Sequence, residues 1–455
     1  MPLRVIEGGR AHADAPGLLI HGASQVATLA GGLHRGPLQG ALALLDAADA
    51  GGPGAPSAPV VACWDGRIVG VGPRDRVEHG LEMSGYSLAR FARLDAEGGV
   101  VTPGLVDPHT HLLFAGSREG ELVLRQNGAG YMDILAAGGG ILSTVANTRA
   151  ASADQLAAHG RRWLDEMLRH GVTTIEAKSG YGLDLATELR LVEVAHRLGE
   201  EGPVEVVPTF LGAHAVPAEY RARPDGTEAY VRHVIDEQLP AVAAQGRAVS
   251  CDVFCEQGVF TAEQSRRILL AARGYGLKVR LHADELAPSG GAELAAELGA
   301  LSADHLHVPS DEGLAAMAAS ALGDTPTVAT LLPATTWFLM TDEAAPARRF
   351  IDAGVPVALG TDFNPGTSPT PNLPLVMTVA CLEMKLSPAE ALAAVTVNAA
   401  HAVGVADRVG SLEPGKQADL VIWRASRVEQ LPYWVGADLV DVVVKRGRVV
   451  HRRTV

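Results

Sequence analysis

Gly98-Gly-Val-Val-Thr-Pro-Gly-Leu-Val-Asp-Pro-His-Thr-His111 is the stretch on which the reading of this chain turns. Its apolar part reads as a strand that feeds a site. Successive side chains of a strand point to opposite faces, so His109 and His111 are expected to point the same way. Two imidazoles on one face can share a single metal ion. Two ordinary histidines at a strand end would look the same in isolation, so residues further along must decide.

Beyond residue 100 the pattern alternates between strand and helix. Ser152 with Gln155 forms a capping box that opens a helix over 155–170. Gly171 ends that helix, and 172–178 follows as a strand. Thr261 with Gln264 repeats the device, and Gly276 closes that helix before Lys278. Ser387-Pro388 with Glu390 opens another, with proline at the first helical position. Strand candidates fall at 101–107, 172–178, 204–213, 250–255, 279–284, 301–306, 327–332 and 355–361. Eight strands alternating with helices predict a (β/α)8 barrel of the α/β class.

Outside this region the strands are short and broken by Gly and Pro: Leu18-Leu-Ile20, Val60-Val-Ala-Cys-Trp64 and Gly66-Arg-Ile-Val-Gly-Val-Gly72. They read as antiparallel. Ala50-Gly-Gly-Pro-Gly-Ala-Pro-Ser-Ala-Pro59 reads as a loop insertion. Similar strands return at Ala418-Asp-Leu-Val-Ile-Trp423, Asp441-Val-Val-Val-Lys445 and Arg448-Val-Val-His451. The expected organisation is a barrel over 103–404 and a small β-sandwich domain composed of 1–102 and 405–455.

The chain has 455 residues, 47% of them hydrophobic, enough for a large core. Its formal charge is −14 and no Lys/Arg-rich run occurs, which argues against nucleic acid as a partner. An anionic ligand would need a local cation to offset that charge. No stretch approaches the roughly 18 uninterrupted apolar residues of a membrane span. The first ten residues lack the apolar core of a signal peptide. Four scattered cysteines are no disulfide framework, so a reducing cytoplasm is expected.

In such a barrel, chemistry gathers at the C-terminal ends of the strands. These ends carry His109 and His111, Leu211-Gly-Ala-His214, His282-Ala-Asp-Glu285, Asp304-His305 and Gly360-Thr-Asp362. Imidazole and carboxylate together suit one zinc or similar divalent ion. The expected ligands are His109, His111, His282 and Asp362, with a water completing the shell. Each residue taken alone could instead be a satisfied polar group in a loop.

His-Thr-His on the first strand, His on the fifth and Asp on the eighth resemble the amidohydrolase superfamily. Gly410-Ser-Leu-Glu-Pro-Gly-Lys-Gln-Ala-Asp-Leu-Val421 is similar to that superfamily's return into its β domain. Further motifs resemble its cyclic-amide hydrolases of histidine degradation. These are His109-Thr-His-Leu-Leu-Phe-Ala-Gly-Ser-Arg118, Gly138-Gly-Gly-Ile-Leu-Ser-Thr-Val145, Lys178-Ser-Gly-Tyr-Gly-Leu-Asp184, Thr209-Phe-Leu-Gly-Ala-His-Ala-Val-Pro217, Asp252-Val-Phe-Cys-Glu256 and Gly360-Thr-Asp-Phe-Asn-Pro-Gly-Thr367.

The resemblance implies metal-dependent hydrolysis of 4-imidazolone-5-propanoate to N-formimidoyl-L-glutamate. The metal would be zinc, with iron as the alternative. Glu285 is the first choice for the proton shuttle, with Asp362 or His305 able to share it. His305 and His214 could polarise the carbonyl. Arg118 offers a bidentate fork for the propionate. Arg118, Tyr131, Tyr181, His214, Asn364, Gly366 and Thr367 are the implied substrate contacts. The fourth strand ends in Cys255-Glu256 without the lysine that bridges two metals in many superfamily members, so one metal is expected. Lys178 is left as a structural ion-pair partner. The resemblance also implies a homodimer. Two rival readings are a related single-metal deaminase and a non-catalytic scaffold. Arg118 and the Tyr181 loop argue against the first, and a complete ligand set argues against the second.

Overall fold

The structure is a computed structural model that describes residues 15–128 and 139–454. Eight parallel strands form the central sheet: β1 (Leu105–Asp107), β2 (Val172–Lys178), β3 (Glu205–Ala213), β4 (Ser250–Cys255), β5 (Leu281–Ala283, preceded by Lys278–Val279), β6 (Ser302–His305), β7 (Val328–Leu331) and β8 (Val357–Leu359). They are hydrogen-bonded in that order. Helices follow the strands, and the predicted starts are real. Ser152, Thr261 and Ser387 each accept from the N3 amide and receive the return bond from Gln155, Gln264 and Glu390.

The first strand differs from its expected span. Residues 101–107 do not run as one strand, because the chain changes sheet in the middle. Val100–Pro103 pairs antiparallel with Leu420–Trp423 in the small domain, and only Leu105–Asp107 joins the barrel. Gly104 makes the crossing, where any Cβ would collide with the Thr173 side chain. The strand also ends before the histidines, since Pro108 has no N–H to continue the ladder. Single bonds instead cross the seam between residues 109–111 and 362–363. His111 N donates to Phe363 O at 2.9 Å, and Asp362 N donates to His109 O at 3.0 Å. These bonds close the barrel between β1 and β8 and bring the two motifs that carry the site side by side.

Two further sheets use both ends of the chain. A four-stranded sheet orders Arg67–Pro73, Pro59–Trp64, Gly17–His21 and Phe91–Asp95. A six-stranded sheet orders Arg448–Arg452, Val440–Lys445, Leu420–Trp423, Val100–Pro103, Gln25–Ala27 and Leu44–Asp46. Leu18, Ile20, Val61 and Ile68 pack with Val101, Leu420, Ile422 and Val444 in a core shared by the two sheets, the sandwich expected of the termini. Two pairings are parallel rather than antiparallel: Gly17–His21 with Phe91–Asp95, and Gln25–Ala27 with Val100–Pro103. Long connections separate both pairs in sequence, as parallel pairing requires. The 50–59 stretch forms turns between two strands.

Lys445 joins the sandwich to the barrel. Its buried ammonium donates to Asp419 Oδ2 at 2.7 Å and to Thr173 O at 3.0 Å, and lies 3.6 Å from Glu205 Oε2. Glu205 opens β3 and also receives Arg408. Removing the cation would leave buried carboxylates uncompensated. Lys445→Met is therefore expected to destabilise the chain by about 3–5 kcal/mol, read as a lower denaturant midpoint.

Candidate metal and catalytic site

The ends of β1, β5 and β8 converge over side chains from β4 and β6. His109 Nδ1 donates to Asp304 Oδ2 at 2.7 Å, and His282 Nδ1 donates to Asp252 Oδ1 at 3.0 Å. A ring that spends its Nδ1 proton in this way presents a bare Nε2. The two rings stand 4.6 Å apart between centroids. His282 Nε2 lies 3.4 Å from His111 Nε2. Asp362 Oδ1 lies 3.5 Å from both His109 Nε2 and His111 Nε2. His109 Nε2 is buried and has no hydrogen-bond partner. Burial holds His109 and His111 well below the usual imidazole range, with Lys178 helping at His109 and His214 at His111. Neutral, unpartnered nitrogens beside a carboxylate are what a divalent cation requires.

Beneath this cluster lies a layer of buried ions. Lys178 Nζ donates to Asp252 Oδ2 at 2.7 Å and Glu176 Oε1 at 2.9 Å, and reaches Asp304 Oδ2 at 3.5 Å. Arg280 donates to Asp304 Oδ2 at 3.1 Å and to Pro108 O at 2.6 Å. Burial alone would raise the carboxyl pKa of Asp252, but His282 and Lys178 outweigh it and hold the group ionised. At Asp304 the same burial is overcome by Arg280 and Lys178. Lysine 178 is thus a structural ion-pair partner, as expected, but of the carboxylates that orient the histidines.

Other predicted residues line the mouth. Burial, then Asp362 and Glu256 nearby, push the Glu285 carboxyl up to about 8. Its Oε2 is 3.6 Å from His305 Nε2. Burial also raises Asp362, to about 6, against a 2.7 Å bond from Thr335 Oγ1. His305 presents a nitrogen within 4.8 Å of ligand atoms of both His109 and Asp362. His214 stacks on His111 at 4.8 Å, and the Tyr181 ring lies 5.4 Å from His214. Asn364 Oδ1 accepts from Gly366 N and Thr367 N, both at 2.8 Å, shaping the turn after Asp362. Arg118 donates through Nε and Nη2 to Glu121, both at 2.8 Å. Its guanidinium lies so close over Gly366 that a Cβ there would collide with it. Tyr131 lies outside the described residues. A cavity of about 370 Å³ lined by Phe114, Asn147, Leu156 and His159 sits beside the loop leaving β1, away from the converging Nε2 atoms.

Comparison with known proteins agrees with this geometry. The profile of the amidohydrolase family matches residues 100–450. An imidazolonepropionase of Geobacillus kaustophilus is 55% identical over 386 residues, 85% of this chain and 88% of that protein. The imidazolonepropionase of Symbiobacterium thermophilum is 48% identical over 434 residues, 95% of this chain and 97% of that protein. The chain belongs to the imidazolonepropionases of the amidohydrolase family. Among solved structures, a zinc-bound adenosine deaminase of Xanthomonas campestris covers 95% of this chain and 92% of its own at a TM-score of 0.63. A triazine hydrolase reaches 0.67, covering 96% of this chain and 95% of its own. At 21% and 17% identity these two share the fold.

Strand-end position in the sequence marks the described candidates around the barrel mouth but does not reveal the supporting carboxylates. Asp252 and Asp304 stand inside the motifs with nothing in the residue order to give them a role, and Glu121 lies outside all of them. A carboxylate inside a strand does not announce what it bonds. Partners 30 residues away for Asp252 and 195 for Asp304 only meet across the barrel. Asp304→Asn should free the His109 ring and weaken metal binding about 10- to 100-fold, measured by competition with a chelator.

Proposed function

We propose that the chain hydrolyses the ring amide of 4-imidazolone-5-propanoate to N-formimidoyl-L-glutamate, using one metal ion per chain held by His109, His111, His282 and Asp362. The observation that carries this reading is the convergence of those four side chains beside Glu285, on a sequence 48–55% identical to imidazolonepropionases. The ion is proposed to be zinc, with iron the alternative. Bound there, it supplies Lewis acidity, polarising the ring carbonyl and bringing the acidity of water to near neutrality, about pKa 7.

The chain's own groups do the rest. Glu285 is placed to take a proton from the attacking water, because burial has raised its basicity toward the working pH. The water oxygen bonds to the ring carbonyl carbon, the C–N bond breaks, and the proton held by Glu285 passes to the departing nitrogen. His305, 3.6 Å from Glu285, lies close enough to steady that carboxylate as its charge changes. His214 donates its Nδ1 proton to Gly180 O at 3.0 Å, so as a neutral ring it faces the site as an acceptor, suited to a ring N–H. The sequence-level idea that His214 polarises the carbonyl does not fit this tautomer.

The propionate is assigned to Arg118. Glu121 engages Nε and Nη2, which fixes the plane of the guanidinium and leaves recognition to Nη1. Arg125 also donates to Glu121, at 3.1 Å, and so helps that carboxylate hold the Arg118 guanidinium in place. That guanidinium is the local cation an anionic substrate needs on a chain of charge −14. We further propose barrel bounds of 103–404 and a cytoplasmic homodimer. All four cysteines are unpaired, in keeping with a reducing compartment.

Loss of imidazolonepropionate absorbance on adding the metal-loaded protein tests the activity directly; no decay overturns the reading. Glu285→Gln keeps shape and loses basicity, so kcat should fall about 100-fold or more with metal content unchanged. Arg118→Met should lower kcat/KM by about 30-fold or more, while an amidated analogue should lose much less. Equal losses on both compounds would make Arg118 a support of its loop alone.

A further inference from the structure

The part of the site formed by Tyr181 and His214 rests on two buried side chains that belong to neither the metal cluster nor the mouth. Glu188 lies in the first turn of the helix Leu185–Glu201 and is fully buried. Its carboxylate accepts from Gly182 N at 2.7 Å, Leu183 N at 2.8 Å and Gly180 N at 3.0 Å. The loop carrying Tyr181 is wrapped around this one side chain. Leu183 is held in the left-handed region at φ 55°, a conformation that a β-carbon disfavours and that persists only where surroundings impose it. Gly180 turns its carbonyl to His214 Nδ1 at 3.0 Å. Glu188 therefore acts on both rings, on Tyr181 through the loop and on His214 through Gly180.

Tyr230, from the helix Gly226–His233, ties the same loop to β3. Its buried hydroxyl donates to Gly212 O at 2.7 Å, with Leu183 O at 3.2 Å. Gly212 stands two residues before His214. One hydroxyl thus fixes the end of β3 relative to the Tyr181 loop.

We propose that Glu188 and Tyr230 are positioning residues for substrate, setting Tyr181 and His214 against the imidazolone ring. This rests on the substrate proposed above. Neither residue touches the metal cluster, so their loss should leave the metal in place and disturb binding of the ring. Uniform binding energy lost in this way raises KM more than it lowers kcat.

The test compares wild type, Glu188→Gln, Tyr230→Phe and a control, Glu205→Gln, all in the metal-loaded protein. Glu205 is also a buried carboxylate, but it lies at the start of β3 beside Lys445. Metal content, kcat and KM for 4-imidazolone-5-propanoate, and amide exchange over residues 179–184 are measured for each. Glu188→Gln is expected to raise KM about tenfold, keep kcat within about threefold and speed exchange of the Gly180 and Gly182 amides about tenfold. Tyr230→Phe deletes a single hydroxyl and should raise KM about threefold. It carries the test if Glu188→Gln does not fold. The control should lower the melting temperature with KM unchanged. Unaltered KM and exchange in both test variants would overturn the proposal, as would an equal rise of KM in the control. If the wild type does not turn over the compound, the substrate reading fails by itself. The exchange comparison needs no substrate and still decides whether these two side chains hold the loop.

Discussion

The ammonium of Lys178 is the constraint around which the barrel interior is arranged. A fully buried cation is tolerable only if carboxylates surround it, and Glu176, Asp252 and Asp304 do so from β2, β4 and β6. Two of these carboxylates also fix a histidine. Asp252 gives one oxygen to Lys178 and the other to His282, while Asp304 binds Lys178, Arg280 and His109 through a single oxygen. The position of one lysine is thereby transmitted to two rings on different strands. Arg280 is a second buried cation in this layer, paired with Asp304. Burial raises the basicity of Asp362 and Glu285, and at Glu285 the neighbouring Asp362 and Glu256 add to it.

Rigidity at the mouth has a local cost. Asp284, His305 and Asp362 all sit at strand ends with φ between 51° and 73°, where a side chain is strained by about 1–2 kcal/mol. Each is pinned. Asp284 accepts from Ser289 N, Gly291 N and Ala292 N at the start of the helix Gly291–Leu298. Asp362 accepts from Thr335, and Leu306, directly after His305, donates to Ala283 O at 3.0 Å. These sharp reversals turn the chain over the barrel rim and aim Glu285, His305 and Asp362 inward. Among the described residues, the sandwich contributes nothing to the site directly. It pairs both ends of the chain and grips the start of β2 and β3 through Lys445, so strand positions are fixed from below as well as by the ionic layer.

Much of this was legible in the amino-acid order because it depends on local rules. Capping boxes, glycine stops and apolar runs place eight strands and their helices, and His-Thr-His marks where they point. What the sequence could not say is where β1 begins. One apolar run serves two sheets, and the change of sheet falls at Gly104, where the Thr173 side chain leaves no room for a Cβ. The pairing of Arg118 with Glu121 spans only three residues, yet nothing in the residue order distinguishes an arginine held by the helix that follows it from one free for a ligand. The tautomer of His214 follows from a carbonyl 34 residues distant. Sequence by itself determined which side chains with chemistry stand at strand ends, since strand periodicity and turn signals act over a few residues. Tertiary structure alone decided their orientation and protonation, because those depend on buried charges and hydrogen bonds that close only when distant strands meet around Lys178.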